Sequence, residues 1–196
     1  MTSIGIFCGS YSGSHPDYMR CAGEAATYLV HAGHDIVYGG GAVGLMGAVA
    51  DAALQAGGRV TGVMPQSLID GEIGHSGLTE MRVVTDMHER KATMASLTDA
   101  FLALPGGSGT LEEISEQWTW AQLGLHDKPC GFLNVRGFFS PLHEFIERTV
   151  SEGFTRPEYA TMLIFEDQIG PLLDRFDAYI APAKKWGTAD ATARPD

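Results

Sequence analysis

A glycine-rich loop followed by two glutamates has residue types that could bind a phosphate. Residues 105–110 are Pro-Gly-Gly-Ser-Gly-Thr, and Glu112 and Glu113 follow shortly after. Glycines let backbone N–H groups approach an anion closely, and the N-terminus of a following helix supplies further donors. The segment also fits an ordinary helix start, because Thr110 and Glu113 have the spacing of a capping box. Spacing alone leaves a phosphate loop and a plain turn both open.

A group of charged residues begins a second predicted helix. Residues 86–91 are Asp-Met-His-Glu-Arg-Lys. Arg90 and Lys91 fall in the first turns of this helix, where the helix dipole disfavours cations. Such departures from a local rule often mark functional sites. The pair is therefore a candidate part of a site, and the alternative is a solvated helix face.

Two further glycine-rich loops follow predicted strands, at residues 9–14 and 39–44. The second lacks the G-x-G-x-x-G spacing of a dinucleotide fingerprint, and the chain has no Gly-Lys-Ser/Thr of a P-loop. Three such loops at one sheet edge still favour an anion site. The net charge of −11 means that an anionic ligand must be held locally, because the surface as a whole repels nucleic acids and anionic membranes.

Apolar runs alternate with helical patterns along the chain, which predicts an α/β fold with a parallel sheet and helices on both faces. Ligands of such sheets bind at the carboxyl ends of the strands. We expect one nucleotide-binding domain over residues 1–180 and a flexible tail over residues 181–196. The predicted strands are residues 4–8, 35–38, 59–64, 83–85, 100–104, 130–134 and 162–165. The predicted helices are residues 16–32, 45–56, 87–98, 112–123, 139–151 and 168–180.

Several functional classes lack support in the sequence. The seven histidines form no H-E-x-x-H or similar pattern, so no metal site is expected. No G-x-S-x-G elbow indicates a serine hydrolase. Three widely spaced cysteines give no sign of an oxidising compartment, and Cys8 has the setting of a buried core residue. Without a signal peptide or a long apolar run, we expect a cytoplasmic protein with no membrane partner.

The two charged and glycine-rich segments resemble the LONELY GUY (LOG) family of cytokinin-activating phosphoribohydrolases. Residues 87–92 are Met-His-Glu-Arg-Lys-Ala, and residues 105–113 fit the family pattern P-G-G-x-G-T-x-x-E in full. Residues 120–124, Trp-Ala-Gln-Leu-Gly, resemble the stretch that follows in the family. The likeness begins near residue 7 and reaches about residue 177.

This resemblance implies a modified Rossmann fold that works as a homodimer or larger assembly. The implied reaction is hydrolysis of the N-glycosidic bond of N6-substituted adenosine 5′-monophosphates, and often of AMP, to free base and ribose 5-phosphate. Arg90 and Glu113 would be the catalytic pair, and no cofactor, pyridoxal phosphate included, is expected. The substrate site implied by the resemblance comprises Ser10, Gly40, Gly41, Glu72, Met87, Arg90, Lys91, Gly106, Gly107, Ser108, Gly109, Thr110, Leu111 and Glu112.

The implied chemistry assigns a task to each group. A carboxylate such as Glu113 can stabilise positive charge on the ribose and activate a water, and Arg90 can keep that carboxylate ionised. Three alternatives stay open: a nucleosidase with a broader choice of base, a non-catalytic nucleotide or cofactor carrier on the same fold, and a structural or partner-binding protein. A carrier has no need of the Arg90 and Glu113 pair, which favours the enzyme.

Overall fold

A computed structural model describes residues 3–69 and 74–185 of the chain, and helices and strands alternate through these ranges. The strands are β1 (Ser3–Phe7), β2 (Asp35–Tyr38), β3 (Val60–Pro65), β4 (Glu80–Val84), β5 (Ala100–Ala103), β6 (Cys130–Leu133) and β7 (Leu163–Glu166). The α-helices are α1 (Pro16–His31), α2 (Gly44–Gln55), α3 (Gln66–Ile69), α4 (Met87–Leu97), α5 (Ser108–Leu123), α6 (Ser140–Ser151), α7 (Pro157–Ala160) and α8 (Ile169–Asp177).

The seven strands form one parallel sheet in the order β4-β3-β2-β1-β5-β6-β7. The chain starts in the middle at β1, moves outward to β4, and then returns to continue from β5 to β7. This reversal places a crevice at the carboxyl ends of β1 and β5, where ligands of open α/β sheets bind. The predicted fold class, a Rossmann-type α/β sheet with helices on both faces, is confirmed.

Two apolar layers cover the sheet. On one face α1, α2 and α8 pack their small and branched side chains against it, for example through Ala26, Val49 and Leu172. On the other face α4, α5 and α6 contribute residues such as Met94 and Ile114. The interior strands are continuous apolar runs because both of their faces are buried, which is why the sequence predicts them well.

The edge strand β4 was harder to predict. Its observed bounds are Glu80–Val84, whereas the sequence predicts residues 83–85. Glu80 and Arg82 form a salt bridge on this half-exposed edge, so the first part of the strand lacks the apolar pattern of the interior strands. The short helices α3 and α7 and a 3-10 turn at Val135–Gly137 were also not predicted, since single turns have little periodicity.

After α8 the chain packs against the C-terminal end of α5. The backbone N–H of Lys185 donates to the carbonyl of Gln122, and the side chain of Lys184 packs against Gly124. The rest of the predicted tail, from residue 186 onward, lies outside the described residues, as does Glu72.

Candidate active site

A cavity of about 470 Å³ opens at the carboxyl ends of the central strands. Its walls come from the loops after β1 and β5, the starts of α2 and α5, and single side chains of α1 and α4. The lining residues are Cys8, Gly9, Ser10, Tyr11, Gly13, Tyr18, Leu45, Met46, Arg90, Pro105, Gly106, Gly107, Ser108, Gly109, Thr110, Glu113 and Phe138. The cavity therefore lies at the crevice that the strand order creates.

Arg90 and Glu113 form a buried ion pair in the wall of this cavity. The Nη1 atom of Arg90 donates to Oε1 of Glu113 at 2.8 Å, and the two side chains are 11% and 9% exposed. The Nε atom of Arg90 donates to the carbonyl oxygen of Val63 in β3 at 3.0 Å. The guanidinium is thus fixed at two points, and it orients one oxygen of the carboxylate.

Burial raises the pKa of the Glu113 carboxyl above its ordinary value. The guanidinium of Arg90 opposes this rise, because it stabilises the ionised form, while the nearby carboxylate of Glu112 adds to it. A raised pKa makes the Glu113 carboxylate a stronger base, which suits general-base chemistry. Burial and the charge of Glu113 also raise the pKa of the Cys8 thiol, which lies beside the pair.

Gly39, at the end of β2, makes room for the arginine. A Cβ atom at this position would lie 2.0 Å from Nη2 of Arg90, which no real contact allows. The first glycine of the loop at residues 39–44 therefore serves the ion pair. Asp86 caps α4 by accepting from the backbone N–H groups of His88 and Glu89, and so fixes the helix that carries Arg90.

The loop before α5 has the geometry of an anion site. α5 begins at Ser108, with Gly107 as its N-cap, and no side chain of the described residues caps it. The first N–H groups of a helix have no partner within it, so those of Ser108, Gly109 and Thr110 are available to a ligand. The alternative of a capping box at Thr110 does not hold, because α5 begins at Ser108, earlier than the sequence predicts, and no described side chain caps it. Thr110 instead lies buried in the first turn, where its hydroxyl packs against Gly106.

Gly107 and Gly109 have no evident role in the fold itself. A Cβ atom at either position would meet no described atom within 4 Å. Gly107 has a φ of −93°, which any residue can adopt. A glycine in a helix, as at Gly109, costs about 1 kcal/mol relative to alanine. Packing explains neither glycine, whereas the close approach of an anion to the backbone explains both.

The three glycine loops meet, as the sequence predicts. The N–H of Gly9 donates to the carbonyl of Pro105 at 3.0 Å, and the N–H of Leu45 donates to the carbonyl of Gly9 at 3.1 Å. Gly44, with a φ of 57°, lies so close to Ser10 that a Cβ would clash with its backbone. Ser10 and the loop before α5 are therefore held side by side.

Curated proteins are similar to this chain in sequence over most of its length. The cytokinin riboside 5′-monophosphate phosphoribohydrolase LOG1 of Arabidopsis thaliana is 44% identical, over 93% of this chain and 85% of its own length. The cytokinin riboside 5′-monophosphate phosphoribohydrolase LOG of Oryza sativa subsp. japonica is 46% identical, over 90% of this chain and 73% of its own length. A family model described as possible lysine decarboxylase matches residues 46–176. This chain belongs to the LOG family.

Solved structures agree on the fold. The molybdenum cofactor carrier protein of Chlamydomonas reinhardtii superposes with a TM-score of 0.69 at 19% identity, over 91% of this chain and 99% of its own. The molybdenum cofactor binding protein of Rippkaea orientalis gives a TM-score of 0.68 at 16% identity, over 90% of this chain and 96% of its own. At this identity the likeness concerns the fold alone.

The LOG motifs do not all reach the cavity. Of the site residues that the resemblance implies, Ser10, Arg90, the residues 106–110 and Glu113 line it. Six others lie elsewhere in the described part of the chain: Gly40, Gly41, Met87, Lys91, Leu111 and Glu112. Gly40 and Gly41 shape the loop after β2, where the carbonyl of Gly41 accepts from the Tyr38 hydroxyl.

Lys91 is buried, but not in the cavity. Its Nζ atom forms ion pairs with Glu112 and, at 3.2 Å, with Glu116, both on α5. Enzymes that use pyridoxal phosphate hold it through a lysine Schiff base, and no lysine lines the cavity formed by the described residues. Residues 3–69 and 74–185 also contain no cluster of three or more potential metal ligands.

Seven lining side chains are not among the predicted site residues: Cys8, Tyr11, Tyr18, Leu45, Met46, Pro105 and Phe138. The expectation that Cys8 is a core residue is met in part, since Cys8 is partly buried and packs against one apolar layer, but it also lines the cavity. Its position at the end of a central strand next to Gly9 was the available signal. Phe138 follows β6, and the sequence gives no signal for its role, because no motif surrounds it.

All three cysteines are free thiols, and no described helix is long and apolar enough to span a bilayer.

Proposed function

We propose that this chain hydrolyses the N-glycosidic bond of adenosine 5′-monophosphates, N6-substituted ones and AMP itself, to the free base and ribose 5-phosphate. The observation that carries the proposal is the buried Arg90–Glu113 pair in the wall of a cavity that also contains the uncapped start of α5. The LOG relatives, which are 44% and 46% identical, are named for this activity on cytokinin riboside 5′-monophosphates.

The start of α5 is where the 5′-phosphate binds in this proposal. Three backbone N–H groups and the positive end of the helix dipole stabilise the anion there. A local site of this kind is needed, because the chain carries a net charge of −11. The bound phosphate fixes the ribose over the next turn of α5, which carries Glu113.

Glu113 then acts at the anomeric carbon. As the bond between C1′ and the base nitrogen breaks, positive charge develops on the ribose, and a nearby carboxylate stabilises it. The oxygen of the attacking water bonds to C1′ as the bond from C1′ to the base nitrogen breaks. Glu113 accepts a proton from this water, and that proton then passes to the ring nitrogen of the leaving base, which returns the carboxylate to its ionised form. Arg90 is the positioning partner, since its bond to Oε1 of Glu113 fixes the orientation of the carboxylate.

Substitution of Glu113 by glutamine tests the proposal. We expect Glu113→Gln to lower the release of adenine from AMP at least about 100-fold, because it removes the charge from the reacting centre. Glu112→Gln is the matched control, since Glu112 is adjacent but pairs with Lys91 outside the cavity. A chromatographic assay of free base over AMP, N6-substituted AMP, GMP and pyrimidine monophosphates measures both variants. Turnover of Glu113→Gln within about tenfold of the unmodified chain contradicts the catalytic role.

The same assay separates the other candidate functions. Release of base from GMP or a pyrimidine monophosphate at the rate seen with AMP would indicate a broader nucleosidase. Binding of nucleotides without release of base would indicate a carrier. The Arg90–Glu113 pair favours hydrolysis, because holding a nucleotide does not require a buried arginine–carboxylate pair beside the phosphate loop.

We further propose that the chain is a cytoplasmic homodimer. Apolar side chains that are usually buried are exposed on neighbouring parts of β4, α4 and α5: Val83, Met87 and Leu111. A second copy of the chain covering this face would remove them from water. Sedimentation should give twice the mass of one chain, and Leu111→Asp should shift the mass to that of a monomer. A monomeric unmodified chain would contradict the dimer.

A further inference from the structure

A glutamine in the middle of α5 is buried without a hydrogen-bond partner. Gln117 is 0% exposed, and neither its side-chain nitrogen nor its side-chain oxygen has a partner among the residues that the structure describes. Buried side-chain amides are nearly always hydrogen-bonded, because an unmade bond in the interior destabilises the fold. A buried amide of this kind requires an explanation.

Gln117 occupies a position that suits an apolar side chain. Ile114 and Ala121, three positions before and four positions after it, are both buried on the same face of α5. This is the spacing of the apolar face of a helix. An apolar side chain of similar size would fill the same space and leave no polar atom without a partner. Packing therefore does not account for the amide.

Glu113 lies one turn before Gln117 and is buried on the same face of α5. Side chains four positions apart on a helix have Cβ atoms about 5–6 Å apart, and each leans toward the N-terminus of the helix. The side chain of Gln117 thus extends toward the turn that carries Glu113. Oε1 of the carboxylate accepts from Arg90. Oε2 can accept from an amide and from a water together, because each carboxylate oxygen has two lone pairs.

His126 determines which end of the amide is available to Glu113. Its ring lies beside the backbone of Gln117, and its Nε2 atom is also buried without a partner among the described residues. Burial lowers the pKa of this imidazole to about 4, so the ring is neutral near neutral pH. Nδ1 accepts from the backbone N–H of Lys128, so Nε2 carries the ring proton. An Nε2–H group that donates to the amide oxygen leaves the amide nitrogen for the carboxylate.

We propose that Gln117 is a positioning residue for the hydrolysis, whose amide N–H donates to Oε2 of Glu113 when that carboxylate is ionised. A rotation of the side chain about its own torsions makes this bond, and polar side chains at this spacing on a helix hydrogen-bond readily. Arg90 then holds one oxygen of the carboxylate and Gln117 the other, which fixes the plane of the carboxylate relative to C1′. The proposal rests on the proposed function, because that function assigns Glu113 its task at C1′.

Gln117→Met tests this role. Methionine has a similar length and no N–H donor, so it fills the space and removes the bond. We expect kcat for AMP near neutral pH to fall about tenfold, because a carboxylate held through one oxygen is less well oriented. Gln122→Met is the matched control, since it makes the same substitution on the same helix at a half-buried position that does not line the cavity. Thermal melting checks folding, and Gln117→Leu takes the place of Gln117→Met if the latter does not fold.

The pH dependence separates this role from packing. Glu113 is acted on by the charges of Arg90 and Lys91 on α4 and of Glu112 on α5, and the thiol of Cys8 after β1 lies beside it. The substitution changes none of these groups. An amide donor stabilises the ionised carboxylate, so its loss raises the pKa of Glu113 further, and the acidic limb of kcat/KM should move to higher pH by about one unit. Carbon-13 NMR titration of the glutamate carboxyls, with Glu113→Gln to identify the resonance, measures the same shift without turnover.

Both effects together support the positioning role, and the absence of either in a folded variant overturns it. A packing defect would lower kcat without moving the limb, and a glutamine that serves only to pair with His126 would leave the titration of Glu113 unchanged. If the unmodified chain does not cleave AMP but the NMR titration moves in Gln117→Met, the contact stands and the proposed function fails. If AMP is cleaved and the titration does not move, the proposed function stands and the role of Gln117 fails.

Discussion

Arg90 and Lys91 are neighbours in the sequence and are both buried, yet they have different partners. Arg90 bonds to Glu113 and Val63, whereas Lys91 pairs with Glu112 and Glu116. Successive helix positions point about 100° apart, so one residue faces the cavity and the next does not. The two adjacent glutamates of α5 are divided between the two cations in the same way.

The sequence shows that these charges are unusual, but not which of them face the cavity. Cations in the first turns of α4 break the dipole rule, and this signal favours a functional site over a solvated helix face. The structure excludes the solvated face, since both side chains are buried. The choice between Glu112 and Glu113 depends on how α5 is rotated against the sheet. The packing of α5 against the sheet sets this rotation, and no local pattern in the sequence predicts it.

Arg90→Lys tests the geometry of the ion pair. Lysine keeps the charge but cannot donate both to Val63 and to Glu113 from a planar group. We expect kcat for AMP to fall about 100-fold or more, with the fold retained, because a misplaced catalytic group costs about that much. Steady-state kinetics with thermal melting as a check on folding is the measurement. Unchanged kcat would mean that the arginine only fills space.

At the scale of elements, glycines define the site more than side chains do. The missing side chain of Gly39 leaves room for Arg90, that of Gly44 leaves room for Ser10, and that of Gly106 leaves room for both Thr110 and Gly9. The sequence shows these loops, because each is rich in glycine and lies between a predicted strand and a predicted helix. The sequence does not show what each glycine makes room for, since this depends on contacts between segments far apart in the chain.

The start of α5 shows the limit of propensity. The sequence predicts a helix from residue 112, because three glycines in residues 106–109 disfavour helix. The structure begins α5 at Ser108. Contacts of the following turns with the sheet stabilise these residues as helix, with Ile114 and Gln117 fully or nearly fully buried. Local preference and tertiary packing disagree here, as they often do at functional sites.

Gly39→Ala tests whether this loop serves the ion pair. The new methyl group would displace the Arg90 guanidinium, so we expect kcat for AMP to fall about 100-fold. Gly23→Ala is the control, because its Cβ would make ordinary contacts of 3.5 Å with Ala52 in the packing of α1 on α2. That change should keep activity and raise stability by up to about 1 kcal/mol. Equal kinetics for the two variants would contradict the role given to Gly39.

At the scale of the whole molecule, the order of the strands creates the site. The alternation of elements in the sequence predicts a parallel sheet, and glycine loops at its carboxyl edge follow from that. The sequence does not show that β5 lies next to β1, because pairing depends on contacts across the whole fold. The pairing of β5 with β1 brings Gly9 to Gly106, so that the loops after these two strands line one cavity.

The central claim is that this cavity holds a 5′-phosphate and uses it to position the ribose. Gly107→Val examines it from the side of the protein. Valine fits the backbone at this position, and its side chain would project into the space beside α5 rather than into the core. The fold should therefore be kept while the approach of the phosphate is blocked.

The most direct measurement is the release of adenine from AMP and from adenosine at equal concentrations. If binding of the phosphate aligns C1′ with Glu113, loss of the phosphate lowers the rate of cleavage as well as the affinity for the substrate. The account predicts rapid cleavage of AMP, barely detectable cleavage of adenosine, and a Gly107→Val chain that no longer distinguishes the two. Comparable rates for AMP and adenosine with the unmodified chain would contradict it, because the glycine loops would then be turns and nothing more.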